Sequence, residues 1–337
     1  MKDLSIIIPC YNATKTINRC LNSIYSQGLD ERDFEVICVD DCSNDPTMVL
    51  TINNYKYMGV HPANLRLIKH SENKRQGEAR NTGLRAATAD GILFMDADDY
   101  YLKGALKTLL ITKQKYPNLD FIMFDGIRET YSGIEEAPFS AHNTTEIMNG
   151  REFFLKQHLP LGPSLLLYKR TTMIASHFLF PENVYFEDSP SVLQFMANAK
   201  KCKFEAIIAY YYTKEDNVEH TTNIGNNQKK IIDFFTFANR MYQVYESFKH
   251  KDSTIANKFL STYVIYYRRL HLRYIWRLPY DVMLKTLRDG RFPEKTGDSI
   301  VDFMSKYPKV VAVSLTTLKP LLSVATFLKE LSKRIRY

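Results

Sequence analysis

Between Leu4 and Asp125, short apolar runs end repeatedly in polar turns. Leu4 to Ile8 has the pattern of a buried strand, Pro9-Cys10-Tyr11-Asn12 turns the chain, and Ile17, Cys20, Leu21 and Ile24 then recur at helical spacing. Phe34 to Val39 predicts a second strand, closing in Asp40-Asp41-Cys42-Ser43-Asn44-Asp45 before another helical pattern. Leu65 to Lys69 is a weaker third strand, and Gln76 to Ala89 has helical spacing through Ala79, Leu84, Ala86 and Ala87. Gly91 to Met95 has the continuous apolar character of a strand buried on both faces, and it stops at three carboxylates, Asp96, Asp98 and Asp99. A helix is predicted over Tyr101 to Lys115, strands over Asp120 to Asp125 and Phe204 to Tyr212, and a helix through Val192, Leu193, Phe195, Met196 and Ala199. Strands alternating with helices predict a mostly parallel α/β sheet flanked by helices. Ligands of such sheets bind beyond the carboxyl ends of the strands, so Pro9 to Asn12, Asp40 to Ser43 and Asp96 to Asp99 are expected along one edge.

From Gln228 onward the pattern is helical, with long aromatic-rich periodicities over Ile231 to Phe248 and Thr254 to Trp276. This divides the chain into residues 1–226 and a helical region, 227–337. Charge divides it in the same place. Residues 229–337 carry 21 Lys/Arg against 9 Asp/Glu, whereas residues 1–228 carry 24 against 28, so the two parts are expected to meet different partners. Arg268 to Arg277 interleaves basic and aromatic side chains, but no nucleic-acid-binding motif accompanies it, and no nucleic-acid partner is expected. Val310 to Leu328 is split by Lys319-Pro320 and falls short of the roughly 20 apolar residues of a spanning helix. Past Pro320, Leu321, Val324, Ala325, Leu328, Leu331 and Ile335 make one face beside Lys329, Lys333, Arg334 and Arg336. That face either packs on the protein's own helices or lies on an anionic membrane surface. The start of the chain is too short in apolar residues for a signal peptide, and five cysteines without Cys-x-x-Cys pairs suggest neither a disulfide framework nor a zinc site. The expected setting is cytoplasmic, with the inner face of the membrane as a peripheral location.

Asp96 and Asp98, on one side of an extended chain, would give a hard oxygen site suited to Mn²⁺ or Mg²⁺. The competing reading is a solvated turn or a helix N-cap. Neither G-x-G-x-x-G after the first strand nor G-x-x-x-x-G-K-[ST] occurs, which excludes the glycine-rich phosphate cradles. Asp188 or Ser189 before Pro190 has the form of a helix N-cap. Gly126 to Asn149 is a long polar stretch that either gates a site or is an exposed hairpin.

Four ordered segments, Ser5-Ile-Ile-Ile-Pro-Cys-Tyr-Asn12, Val39-Asp-Asp-Cys-Ser-Asn-Asp45, Gly77-Glu-Ala-Arg-Asn-Thr-Gly-Leu-Arg-Ala86 and Phe94-Met-Asp-Ala-Asp-Asp99, resemble the motifs of the inverting glycosyltransferase family two. The resemblance implies a GT-A fold, Rossmann-like, with a nucleoside-diphosphate sugar, most simply a UDP-sugar, as donor. It implies that Pro9, Tyr11 and Asn12 lie along the nucleoside, that Asp41 accepts from the base imide, and that Arg80, whose fork suits phosphate or sugar hydroxyls, lies near the sugar-nucleotide; the competing reading of Arg80 is a solvated helix residue. Asp96 and Asp98 match the cation-binding D-x-D, Asp98 ahead of Asp96 as the direct ligand. In Phe186-Glu187-Asp188 the resemblance makes Asp188 the general base. Asp40 and Asp99 are further candidates, as is Glu187, which either orients the acceptor or sits exposed. His220, in the loop after the last strand, either reaches the diphosphate or metal or is solvated. The implied acceptor is a saccharide or a lipid-linked saccharide. A nucleotidyltransferase-like enzyme on a similar sheet and a sugar-nucleotide-binding scaffold without turnover are the alternatives.

Overall fold

The computed structural model describes residues 2–128, 143–157, 162–213, 227–289, 298–319 and 322. Its contacts divide the chain into two units, Met1–Val218 and Glu219–Tyr337.

The first unit is built on an eight-stranded sheet. In chain order its strands are β1 (Leu4–Cys10), β2 (Phe34–Asp40), β3 (Leu65–Lys69), β4 (Gly91–Phe94), β5 (Tyr100–Tyr101), β6 (Phe121–Arg128), β7 (Leu166–Lys169) and β8 (Cys202–Tyr212). Across the sheet the order is β3-β2-β1-β4-β7-β6-β8-β5. β1 and β2 are buried at every position, as their unbroken apolar runs require of inner parallel strands. Helices α1 (Ile17–Tyr25), α2 (Thr47–Asn53) and α3 (Arg75–Ala86) make the crossovers that parallel pairing demands. Beyond β4 the sheet is mixed: β7 runs antiparallel to both β4 and β6, β5 runs antiparallel to β8, and β6 and β8 are parallel.

Register brings the predicted strand ends together. Cys10 pairs with Asp40 and Ile7 with Phe94, so the turns after β1, β2 and β4 leave the sheet on the same edge. Two backbone bonds extend the alignment past the strands, from Asp41 N to Cys10 O at 2.8 Å and from Met95 N to Ile7 O at 3.0 Å. The sequence missed β7 and α6 (Arg170–Ala175), and it missed α5 (Gly150–Lys156), whose start packs so closely that a Cβ on Gly150 would meet the backbone oxygen of Met196. It also placed a helix start where β5 lies; α4 (Ala105–Lys115) begins only after Gly104, which turns the chain at φ +81°. Of the stretch from Gly126 to Asn149, residues 126–128 continue β6, and residues 129–142 lie outside the described residues.

α7 (Ser189–Asn198) follows the loop after α6 and completes the unit's described helices. All five cysteines are free, and Cys10, Cys20, Cys38 and Cys202 are buried.

The second unit is helical: α8 (Gln228–Phe248), α9 (Ser253–Arg273), a 3-10 turn (Ile275–Arg277), α10 (Tyr280–Asp289) and α11 (Ser299–Lys306). α8 and α9 pack as a pair with Phe248 stacked on Phe259 at 5.9 Å. The chain stays helical through 308–319, because Tyr307 N bonds Phe303 O and Val311 N bonds Tyr307 O across Pro308. Among the described residues no helix is long and apolar enough to cross a membrane. The apolar face expected over residues 321–335 and the side chains of Arg268 to Arg273 lie outside the described residues.

Candidate active site

The first part of the site is the turn pair after β1 and β2. Asn12 adopts φ +53° and Cys42 φ +58°, conformations an L residue holds only when its surroundings fix them. The fixing groups are present. Asn12 Oδ1 accepts from the backbone N–H of Asn44 at 2.9 Å and of Asp45 at 3.2 Å, its own N–H donates to Ser43 Oγ at 3.0 Å, and Asn44 Nδ2 donates to the Tyr11 hydroxyl at 2.9 Å. Pro9 is buried in β1, while Tyr11 is exposed on the edge.

Asp40 and Asp41 are both buried. Asp40 Oδ1 accepts from Ser43 N at 3.1 Å and Oγ at 2.5 Å, which closes the turn. Asp41 Oδ1 accepts from Lys74 N at 2.8 Å and bonds Nδ1 of His70 at 2.7 Å, and His70 Nε2 meets the Thr82 hydroxyl at 2.9 Å. A carboxylate can only accept, so Nδ1 carries the proton there. The second oxygen of each of these aspartates is buried with no protein partner among the described residues. A buried acceptor left unmet costs about 1–3 kcal/mol, so each oxygen is suited to a donor brought by a ligand. Sequence reasoning missed His70; a lone histidine after a weak strand carries no signal until the fold sets it beside Asp41.

The second part is the turn after β4. The chain does not stay extended past Met95 as expected: Asp99 N–H bonds Asp96 O at 3.1 Å and turns it. Asp96 and Asp98 are half-buried, whereas Ala97 and Asp99 are buried. Asp96 Oδ1 accepts from Gln76 Nε2 at 2.7 Å and Arg80 Nη2 at 2.9 Å, and its second oxygen has no protein partner among the described residues. Arg19 Nη2 donates to the backbone oxygen of Asp98 at 2.6 Å. Asp99, expected as a further site carboxylate, turns inward. It accepts from the Tyr210 hydroxyl and from Thr213 N, each at 2.8 Å, and ties the turn to β8. Burial, with the nearby charges of Asp96 and Asp98, pushes its carboxyl well above the usual range.

The third part is the loop before α7, clamped onto α3. Asn81 exchanges two bonds with the Phe180 backbone, at 2.8 and 3.0 Å; Asn183 N bonds Lys74 O at 3.2 Å; and Arg75 reaches the Tyr185 hydroxyl at 2.6 Å. Gly77 permits the approach, since a Cβ there would strike the Pro181 backbone oxygen and lie 2.9 Å from Glu187 Cγ. Asn183 and Phe186 are both held at positive φ.

Arg80 is not a solvated helix residue: the side chain is 2% exposed and sealed between carboxylates, with Nη1 bonded to Glu187 at 2.5 Å and Nη2 to Asp96. Glu187 is likewise not exposed; it is buried on Arg80. Asp188 caps α7, accepting from Ser189 N at 2.8 Å. Burial and then the Glu187 charge raise its pKa to about 7, against the lowering effect of Arg80. His220 lies outside the described residues.

The family model described as Glycosyl transferase family 2 matches residues 5–161. Residues 5–161 belong to glycosyltransferase family 2. The chain is similar over 228 residues, at 28% identity, to the poly(ribitol-phosphate) beta-N-acetylglucosaminyltransferase TarS of Staphylococcus aureus strain MW2, covering 66% of this chain and 37% of TarS. It is 29% identical over 221 residues to the poly(ribitol-phosphate) beta-glucosyltransferase of Bacillus spizizenii, covering 64% of this chain and 33% of that protein. The chain thus spans about a third of the length of the first curated relatives it matches. The crystal structure of S. aureus TarS residues 1–349 with UDP-GlcNAc superposes with a TM-score of 0.71 at 20% identity, covering 95% of this chain and 90% of that one. The fold is GT-A, as the motifs implied.

Asp188 gives a test that needs no substrate. Its folded pKa, about 7, lies above its ordinary 3.8, so the native state holds the extra proton between those values and the wild type loses stability as pH rises through them. Asp188→Asn cannot lose that proton. Urea denaturation is expected to show the variant gaining on wild type from pH 4 to pH 7 and holding a constant gap above; a gap that does not change with pH contradicts the raised pKa.

Proposed function

We propose that this protein is a metal-dependent, inverting glycosyltransferase that moves a sugar from a UDP-sugar onto a hydroxyl of a polyol-phosphate or saccharide polymer. The observation that carries the reading is the chain of contacts from Asp96 through Arg80 to Glu187, which sets the D-x-D turn beside the residue preceding Asp188. The donor end and the base stand one side chain apart. The uridine assignment draws support from the unmet Oδ2 of Asp41, an acceptor suited to a base imide, with Pro9, Tyr11 and Asn12 along the nucleoside. The poly(ribitol-phosphate) acceptors in the names of the relatives support the polymer class.

Asp188 takes the proton from the acceptor hydroxyl as its oxygen attacks the anomeric carbon. The bond from that carbon to the diphosphate oxygen breaks in the same step, and the nucleoside diphosphate leaves with the bonding pair. A carboxylate whose proton affinity is raised to near neutrality is a better base for this than an ordinary aspartate. Among the described residues no three His, Cys, Asp or Glu side chains gather as a self-sufficient metal site. The free oxygen of Asp96 and the carboxylate of Asp98 fit a hard Mn²⁺ or Mg²⁺ ion that takes its other ligands from the diphosphate. When bound, that ion supplies positive charge against the charge developing on the leaving group.

The boundary between donor-binding and helical parts falls near 226/227 in this reading, and the helical part lies on the cytoplasmic face of a membrane. Phe303, Tyr307, Val310, Val313 and Leu318 are exposed along residues 303–318, beside exposed Lys306 and Lys309. Anionic headgroups attract each nearby cation by about 1 kcal/mol.

Two measurements check these assignments. Asp98→Asn is expected to abolish transfer and remove metal-dependent donor binding, whereas Asp188→Asn abolishes transfer with UDP affinity within about threefold of wild type; near-normal turnover in either contradicts its role. The protein is expected to sediment with phosphatidylglycerol vesicles and not with phosphatidylcholine alone, and Val310→Glu with Val313→Glu is expected to release it. Equal recovery with both lipids, or with neither, contradicts the membrane face.

A further inference from the structure

Arg80 is the largest fully buried side chain of the described residues, and each of its bonded partners is a carboxylate from a different part of the site. Asp96 belongs to the turn after β4, while Glu187 ends the loop before α7 and adjoins Asp188. Resting on the transferase reading, we propose that Arg80 is a positioning residue whose guanidinium struts the donor-side turn against the acceptor-side base, and that it is not a ligand of the donor.

Three features fix the strut. The guanidinium lies over the Phe180 ring at 5.4 Å, and Phe180 is itself held by its two bonds to Asn81, the residue after Arg80 in α3. Gln76, one helical turn before Arg80, bonds the same oxygen of Asp96, so the carboxylate is gripped by two donors from one face of α3 and offers its other oxygen outward. Gly77, between them, leaves just the space that Glu187 and Pro181 occupy. Swinging the fork toward a phosphate would break its bond to Glu187, a carboxylate only 4% exposed, and breaking one side of a buried ion pair is strongly destabilising. A planar guanidinium holds two carboxylates at a fixed spacing; an ammonium, a compact charge on a flexible stem, sets no such geometry.

The strut explains why one residue of α3 should matter to both ends of the reaction. Displacing the attacking oxygen from the anomeric carbon by about 1 Å can cost 10²-fold in rate, and Arg80 is the side chain that sets that spacing.

The test compares Arg80→Lys, Glu187→Gln and the double variant in the full-length protein. Expected for each single variant is a fall in kcat of about a hundredfold, with the Kd for UDP by calorimetry within about threefold of wild type. The double variant is expected to be no slower than the slower single, because both break one contact. Hydrogen exchange supplies a readout apart from turnover: residues 180–188 exchange faster in Arg80→Lys without general loosening of β1 and β2. Should Arg80→Lys fail to fold, Glu187→Gln, which keeps shape and an acceptor oxygen, must show the same pattern alone. A rise of thirtyfold or more in the Kd for UDP with kcat unchanged at saturation would make Arg80 a donor ligand and overturn the proposal. Multiplicative losses in the double variant would do the same. A wild-type protein that turns over no UDP-sugar would instead count against the transferase reading, and the exchange comparison would still judge the strut.

Discussion

A positive charge shut away from water must be met by negative charge, and Arg80 imposes that requirement on the centre of this site. Burial alone would disfavour the guanidinium, and the carboxylates of Asp96 and Glu187 outweigh it. Their geometry follows. Asp96 gives one oxygen inward and keeps one outward, Glu187 is drawn out of solvent, and the loop that carries it is pressed onto α3 so tightly that only glycine fits at position 77. Asp188 inherits its surroundings from this arrangement, since burial and then the Glu187 charge raise its proton affinity and Arg80 restrains the rise.

The edge of the sheet is strained where it meets this centre. Asn12, Cys42, Arg75, Asn183 and Phe186, all at positive φ, lie in the turns and the loop that frame the candidate site. Such conformations persist where neighbouring bonds over-determine them, and here the bond from Asn12 N–H to Ser43 Oγ, the Arg75 contact with Tyr185 and the Asn183 bond to Lys74 supply those bonds. The two acceptor oxygens left unmet on Asp40 and Asp41 stand in the same frame. Rigidity and unmet hydrogen-bonding capacity together describe a surface prepared for a ligand.

How much of this was legible beforehand depended on sequence distance. The ends of β1, β2 and β4 declared themselves, because an apolar run stopping at a polar turn is a local pattern and parallel pairing places such ends on one edge. The Asp188 cap was equally local, Ser189-Pro190 marking the start of α7. The Arg80–Glu187 pair spans 107 residues and left no periodic trace, so a solvated arginine and an exposed glutamate were reasonable readings of each alone. Asp99 could not be told from Asp96 and Asp98 until Tyr210 and Thr213, far along the chain, turned it inward. β7 and β5 escaped for a related reason: four and two residues are too few to show a period.

The central claim is that this edge holds a uridine diphosphate with a divalent cation, and calorimetric titration tests it most directly. UDP and GDP would each be titrated with Mn²⁺ and again after chelation. The account predicts that UDP binds at least tenfold more tightly with Mn²⁺ than without, and more tightly than GDP under both conditions. Equal binding of the two nucleotides, binding of UDP that ignores the metal, or binding of neither would contradict it.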